Sequence, residues 1–541
     1  SISRFMGFFL MFPLNFFKNK FLLVLPSAFI LGLGMIPSGI PLPFISAQAL
    51  QAQTDSGDMD SILSGFDEKE TDSELKETDL LSGFDEEEPG LEQTETLPEE
   101  KGWLDDFSGK AGASLSYAYE QQAPISSQHP DWRGIRRQRG FLQLKWERRV
   151  FQDARVFIEG KIIGDLLPDT LDPGVYDALP QKNREAYDQY RQSLMESELR
   201  EAYFQISPLS FMDLKLGRQI IVWGVADSLS VVDVLNPRDN RVPGLIDVED
   251  ARLPLNALKL DFYSGNWNLS AVAIPDIRFG KNPGYGSEYY FYSKLENFSD
   301  ENNILPKEEI PESGTENAEY GMSLQGNFSG WDWMLYHADF YNDQARVVIE
   351  FNPPPLGKGL EAKSRVHDRL KLNGTGISLV SGSWLWKAEA AMTSGFRFYG
   401  TVKEYERQDL MLGIEYAGIS DASLGFEISR RSYPDYDSIL ENPPNNADEH
   451  YVQSAFSYRH DFWNQTLHLN SFALMLGESW NKGATARVGL DYDWFDAFSV
   501  GGGWLVYQKG SDSEYASTTS LAYAEQMSRN DRIFLETTYS F

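Results

Sequence analysis

Arg532-Ile533-Phe534-Leu535-Glu536-Thr537-Thr538-Tyr539-Ser540-Phe541 decides the fold. Odd positions carry Ile, Leu, Thr, Tyr and Phe, while even positions are mostly polar. Successive side chains of a β-strand point to opposite faces, so this run has one apolar and one polar face. A wall between lipid and a wetter interior requires that pattern.

The same alternation recurs upstream. Candidate strands at 108–120, 211–222, 404–417 and 483–494 belong to a set of about 18, an even number, ending at 530–541. In 483–494, Leu490 and Tyr492 read as lipid-facing while Arg487 and Asp491 read as lumenal. In 404–417, Leu410, Leu412 and Ile414 oppose Arg407, Asp409 and Glu415. Connections after even-numbered strands are tight, as at Ser264-Gly265, Ser329-Gly330 and Ser381-Gly382, whereas the others are longer. A soluble sandwich has no reason to alternate its turn lengths in this way. Trp146, Trp267, Trp331, Trp384, Trp494 and Trp504 fall near expected strand ends, where aromatic girdles meet the membrane interfaces.

Residues 1–49 read as an export signal. Arg4, Lys18 and Lys20 precede an apolar stretch, and Ala47-Gln48-Ala49 has small-x-small cleavage spacing. No later segment approaches the roughly 18 apolar residues that a membrane helix needs. Membrane residence must then come from strands. A final strand ending in Phe541 also resembles the signal by which barrel-assembly machinery recognises outer-membrane barrels. The sequence thus predicts an all-β fold: a transmembrane antiparallel β-barrel over 108–541, with a disordered acidic N-terminal tail. The expected location is the outer membrane of a Gram-negative bacterium, with lipid around the wall and the tail in the periplasm.

The net charge is −32, and residues 50–107 hold 20 acidic against 3 basic residues. Nucleic acid, which selects clustered Lys and Arg, is excluded as a partner. Within this tail Leu63-Ser64-Gly65-Phe66-Asp67-Glu68 returns as Leu81-Ser82-Gly83-Phe84-Asp85-Glu86. A solvated spacer needs no repeated Leu and Phe. Leu63, Phe66, Asp67, Leu81, Phe84 and Asp85 are therefore candidate docking residues for a periplasmic partner, with recent duplication of a neutral linker as the alternative.

The expected lumen mixes signs: Lys145, Glu147, Glu201, Asp213, Lys215, Arg407, Asp409 and Arg487. Charges cost little on a wall facing water, and many can pair across strands. The third long loop, about 222–254, is apolar for a loop in water, with Val231, Val232, Val234 and Leu235. Sheltering these inside the barrel mouth would narrow the pore. The candidate constriction residues are Trp223, Asp227, Asp233, Asn236, Arg238, Asp239 and Arg241; a structural plug or a tight extracellular cap is the alternative. Cysteine is absent, the six His lack metal-ligand spacing, and there is no nucleophile elbow or phosphate-binding glycine motif. No catalytic residue, cofactor or metal is assigned, and the chain reads as a non-enzyme.

Leu216-Gly217-Arg218-Gln219-Ile220-Ile221-Val222-Trp223-Gly224, with Asp233–Pro237 and Arg241–Gly244, resembles an uncharacterised family of proteobacterial outer-membrane barrels, a domain of unknown function in the porin superfamily. Members are often encoded beside RND-type exporters. The resemblance implies transport or envelope assembly, and an RND-type exporter or other periplasmic machinery as the tail's partner. The expected function is the outer-membrane channel component of an export or trafficking system. A stand-alone uptake porin and a non-conducting structural or assembly barrel are the alternatives. Arg218 departs from alternation, which puts it on the lipid side with Leu214 and Leu216; either Gly217 turns it inward or it reaches the headgroups from the strand end.

Overall fold

A computed structural model describes residues 106–119, 132–151, 153–166, 173–245, 251–290, 306–352, 359–441, 445, 447–511 and 530–541. The expected signal and the repeated tail motif lie outside the described residues. In chain order the elements are β1 (Phe107–Ala118), β2 (Gly134–Phe151), β3 (Ala154–Asp165), α1 (Pro173–Ala178), α2 (Gln181–Gln192), β4 (Met195–Leu209), β5 (Met212–Gln219), β6 (Leu255–Ser264) and β7 (Trp267–Ile274). Next come β8 (Glu308–Glu309), β9 (Glu319–Phe328), β10 (Trp331–Tyr341), β11 (Arg346–Asn352), β12 (Gly359–Val366), β13 (Arg369–Ser381) and β14 (Trp384–Arg397). The remainder are β15 (Glu404–Ile419), β16 (Ala422–Ser432), β17 (His450–Phe462), β18 (Leu467–Leu476), β19 (Gly483–Phe495), β20 (Phe498–Gln508) and β21 (Arg532–Ser540).

Eighteen of these strands form one antiparallel sheet, each beside its neighbour in sequence. β1 pairs with both β2 and β21, with Ala111 opposite Leu142 and Tyr539, so the sheet closes on itself as a barrel. The backbone of Phe541 exchanges hydrogen bonds with Gly109 at 2.7 and 2.9 Å, sealing the seam at the tight-turn rim. β8, β11 and β12 form a separate small sheet within the long connections. Among the described residues no helix is long and apolar enough to cross a membrane. The crossing is made by strands, whose backbone groups are satisfied by their neighbours.

The alternation read from sequence sorts the wall. On β15, Leu410 and Leu412 are exposed on the outside while Asp409 and Met411 are buried inside. Ile377 and Leu379 on β13 repeat the outward apolar pattern. Hairpins at the tight end turn on glycines with left-handed φ, +57° at Gly265 and +61° at Gly382, which L side chains rarely adopt. An aromatic belt follows this rim, with Trp267 against Phe328 at 5.5 Å and Trp384 against Tyr416 at 4.4 Å. Trp504 does not join it. β20 continues to Gln508, so Trp504 lies within the wall opposite Val488 and Ile533.

Candidate functional site: the loop inside the barrel

The segment 220–245 leaves β5 and turns into the barrel, and 251–254 leads back to β6. Its apolar residues explain why: Leu229 and Val232 are fully buried and Leu235 nearly so. Ile221, Trp223, Val232 and Leu235 pack on inward side chains of β10, β13, β14 and β15, including Tyr336, Leu372 and Tyr405. Trp223 lies 5.2 Å from Tyr336, ring to ring. Leu229 and Leu245 pack instead on β15, β17, β18, β20 and β21, through Met411, Leu474, Leu505 and Phe534. One loop thus contacts the inner wall from β10 to β21. Burial of each Val or Leu contributes about 1.5–3 kcal/mol, and inside the mouth is where these residues find it.

The loop's amides need acceptors there. Two wall carboxylates supply them. Glu389 on β14 accepts from the N–H groups of Val225 (2.6 Å), Ala226 (2.9 Å) and Val231 (2.8 Å), and from the Ser230 hydroxyl (2.9 Å). Glu427 on β16 accepts from the N–H groups of Asp227 (2.6 Å), Ser228 (2.9 Å) and Leu229 (2.8 Å). Lys387, two residues before Glu389 on β14, pairs with Asp227 and lies 3.4 Å from Glu415.

Asp233 ties the loop's two limbs together. It accepts from the Trp223 N–H at 3.3 Å and meets Arg238 at 3.4 Å and Arg252 at 3.0 Å. Asn236 accepts from the Ile221 N–H at 2.9 Å and donates to the Leu253 carbonyl at 2.7 Å. The fourth long loop joins in: the Asn240 N–H donates to the Lys281 carbonyl and the Lys281 N–H to the Arg238 carbonyl, at 2.7 and 2.9 Å. Of the expected constriction residues, Asp233, Asn236 and Arg238 are turned into the loop's interior and Trp223 against the wall. Asp239 is buried beside Arg241 at 2.5 Å. Asp227 and Arg241 keep accessible side chains, 43% and 21% exposed.

Towards the mouth, a cavity of about 90 Å³ lies between this loop, β2 and the segment 284–289. Glu288 sits between Arg136 (3.0 Å) and Arg532 (2.8 Å), all three buried. Burial alone would raise the Glu288 carboxyl, but the Arg532 and Arg136 guanidiniums outweigh it and hold it below the usual carboxylate value. Arg137 donates to the Leu245 carbonyl at 2.6 Å, and the Tyr507 hydroxyl donates to that of Pro243 at 2.5 Å.

The expected lumen-lining charges lie in short cross-strand or same-strand contacts. Lys145 is 3.6 Å from Glu159, Glu147 is 2.8 Å from Arg155, and Lys215 is 4.0 Å from Glu201. Asp213 accepts from the Tyr263 hydroxyl at 3.2 Å. Asp409 is held by Arg407 at 2.7 Å and Arg431 at 2.9 Å, and Arg487 lies over the Phe534 ring at 4.8 Å. Sequence reading assigned no loop-holding role to Glu389 or Glu427, nor any role to Glu288. Their only signal was a carboxylate on an inward strand position or in a long loop, and partners some 160 to 240 residues away are silent in a linear pattern.

A family described as "Protein of unknown function (DUF1302)" matches residues 140–541. Comparison with curated proteins finds no match. Among solved structures, OpdK of Pseudomonas aeruginosa, determined with vanillate, superimposes with TM-score 0.43 at 10% identity, over 81% of this chain and 100% of that one. OccAB4 of Acinetobacter baumannii gives TM-score 0.43 at 10% identity, over 80% and 98%. An anion-selective porin from Comamonas acidovorans gives 0.37 at 10%, over 80% and 98%.

Proposed function

Because the chain belongs to the DUF1302 family of proteins of unknown function, we propose its role from its own lumen: it is an outer-membrane transport barrel held closed by its third long loop and opened by a partner. The observation that carries this reading is the grip of Glu389 and Glu427 on the loop backbone. A barrel of this strand number leaves an aqueous channel unless something plugs it, and a loop fastened to the inner wall by six amide hydrogen bonds, packed from β10 to β21, is the candidate plug. Opening against such contacts requires differential binding energy from outside the barrel. This favours a channel component of an export or trafficking system over a stand-alone uptake porin. In this reading the tail's repeated motif, Leu63–Glu68 and Leu81–Glu86, recruits the periplasmic partner, with an RND-type exporter as one chemistry of partner that fits.

Planar-bilayer recording tests it. The intact barrel is expected to conduct rarely, and deletion of Ser228–Asn240 to raise single-channel conductance. Steady conductance of the intact barrel, unchanged by the deletion, would make the segment an outer cap and the stand-alone porin the better reading.

A further inference from the structure

The chain enters the barrel at its tight-turn rim. Asp106, the first described residue, lies against the end of β2. Its carbonyl accepts the Glu147 N–H at 3.1 Å, and its carboxylate is 3.4 Å from Arg148. Phe107 then begins β1. The acidic segment that precedes it is therefore tethered to this rim. A residue spans at most about 3.6 Å, so the six residues from Glu100 to Asp106 reach about 20 Å.

The inner face of this rim is unevenly charged. Towards this end of β1, β2 and β3 stand Lys110, Lys145, Arg149, Arg155 and Lys161, against Glu147 and Glu159, with Asp153 in the β2–β3 turn. Lys110 is opposite Gln143, and Arg149 is directly opposite Arg155. Like charges facing each other across a strand pair are destabilising. Glu147 offsets Arg155 at 2.8 Å, and Glu159 is 3.6 Å from Lys145. Lys110 and Arg149 are exposed, and neither forms an ion pair with another described residue.

Further round the rim the balance reverses. Asp461 on β17 and Asp491 and Asp493 on β19 stand on the inner face, beside Arg459 and His468. His468 lies 2.7 Å from Asp461 and 3.1 Å from Asp493. An acidic ligand at this mouth is drawn to the β1–β3 side and repelled from the β17–β19 side. The chain carries such a ligand next to the mouth. Asp85–Glu100 holds eight carboxylates and no cation, and it ends six residues before Asp106. A short flexible connection gives a tethered segment a millimolar effective concentration, so weak contacts suffice to hold it.

We infer that the basic inner rim of β1–β3 is the docking surface for the chain's own acidic stretch Asp85–Glu100, which lies across the tight-turn mouth when docked. Its carboxylates supply the counter-charges that Lys110 and Arg149 lack. The inference goes beyond the transport reading and needs no partner. Asp85 and Glu86 also belong to the second copy of the repeated motif, so a partner that captures Leu81–Glu86 competes with the barrel for them.

The absence of cysteine permits a two-site crosslinking test on the intact protein in detergent. Thr94→Cys in the stretch is combined with Ser207→Cys on β4, beside the β2–β3 turn, or with Ser499→Cys on β20, opposite Asp493. Ser499 is two strands from β1 and Ser207 three, so tethering alone favours Ser499. Docking predicts the reverse: a short bis-maleimide at low salt should join Thr94→Cys to Ser207→Cys about tenfold more than to Ser499→Cys. Salt at about 1 M should erase the preference, because exposed charges are then screened within about 3 Å. Lys110→Glu with Arg149→Glu should erase it too, and Lys110→Arg with Arg149→Lys should keep it. Glu86→Gln, Glu87→Gln, Glu88→Gln and Glu92→Gln together should also erase it while leaving every barrel residue in place, so a folding fault cannot imitate the result. Equal crosslinking at the two positions, or a preference that survives salt and both sets of charge changes, overturns the docking. The crosslink is read without current, so its failure and failure of the closed-barrel reading are separate results.

Discussion

The Glu389 carboxylate on β14 accepts the Val225 N–H at 2.6 Å across 164 residues of sequence, and the same side chain takes the N–H groups of Ala226 and Val231. A single wall side chain thus fixes both ends of a short loop segment. With Glu427 doing the same for 227–229, the loop's position depends on two acceptors more than on its own conformational preferences.

Replacing both, Glu389→Ala with Glu427→Ala, should free the loop. A buried donor left without its acceptor costs about 1–3 kcal/mol, so loss of several amide partners shifts the closed-to-open ratio by at least about tenfold. Bilayer recordings should show more frequent and larger openings. Glu389→Gln, which keeps an acceptor oxygen, should lie between. Recordings identical to the parent barrel would show that the apolar clusters alone hold the loop.

Strand count, facing and turn asymmetry were legible because the lipid–water boundary imposes a period of two on every strand, as Leu410 and Leu412 against Asp409 and Met411 show. The inward turn of the third loop was legible from Val231 to Leu235, since such residues need cover. The interior roles of Asp233 and Arg238 were not, because a charge on a loop reads as exposed until its partner is known. The helix α2 was also hidden: Gln181–Gln192 is polar almost throughout, and only Asn183 and Tyr187 are buried.

Asp233→Ala should loosen the loop where it folds back on itself. Arg238 and Arg252 would lose their shared carboxylate while remaining buried, and breaking such a contact costs about 3–5 kcal/mol. Trypsin should then cut after Arg238 or Arg241 in the detergent-solubilised barrel, sites protected in the parent. Asp233→Asn, which retains the acceptor for the Trp223 N–H, should be cut more slowly. Equal protection in all three proteins would assign the loop's rigidity to packing.

Partner recruitment through the tail has its own readout. Phe66→Ala with Phe84→Ala should abolish co-purification of a periplasmic partner and leave barrel insertion intact, because a few apolar anchors dominate such contacts. Loss of one copy should weaken capture less than loss of both, as expected of two weak sites on one tether. Normal transport by a tail-deleted protein, with the same co-purifying proteins, would remove the docking role.

The pH response of the mouth follows from Glu288. Its carboxyl is held below the ordinary value by Arg532 and Arg136 against the opposing effect of burial. A depressed folded-state pKa stabilises the fold at every pH above the unfolded value, near 4.3, and that stability fades as pH falls through the folded value. Heat- or urea-induced unfolding in detergent should therefore show a midpoint that is flat near neutrality and declines only in acid. Glu288→Gln removes the charge and leaves both guanidiniums buried, so its midpoint at pH 7 should be lower, by an amount corresponding to about 3 kcal/mol. The difference between the two proteins should shrink as the pH falls, because protonation makes the parent's side chain resemble the variant's. Arg136 and Arg532 face each other across Glu288, so a gap that stayed constant into acid would mean that packing, and not the charge, joins β2 to β21 at this rim.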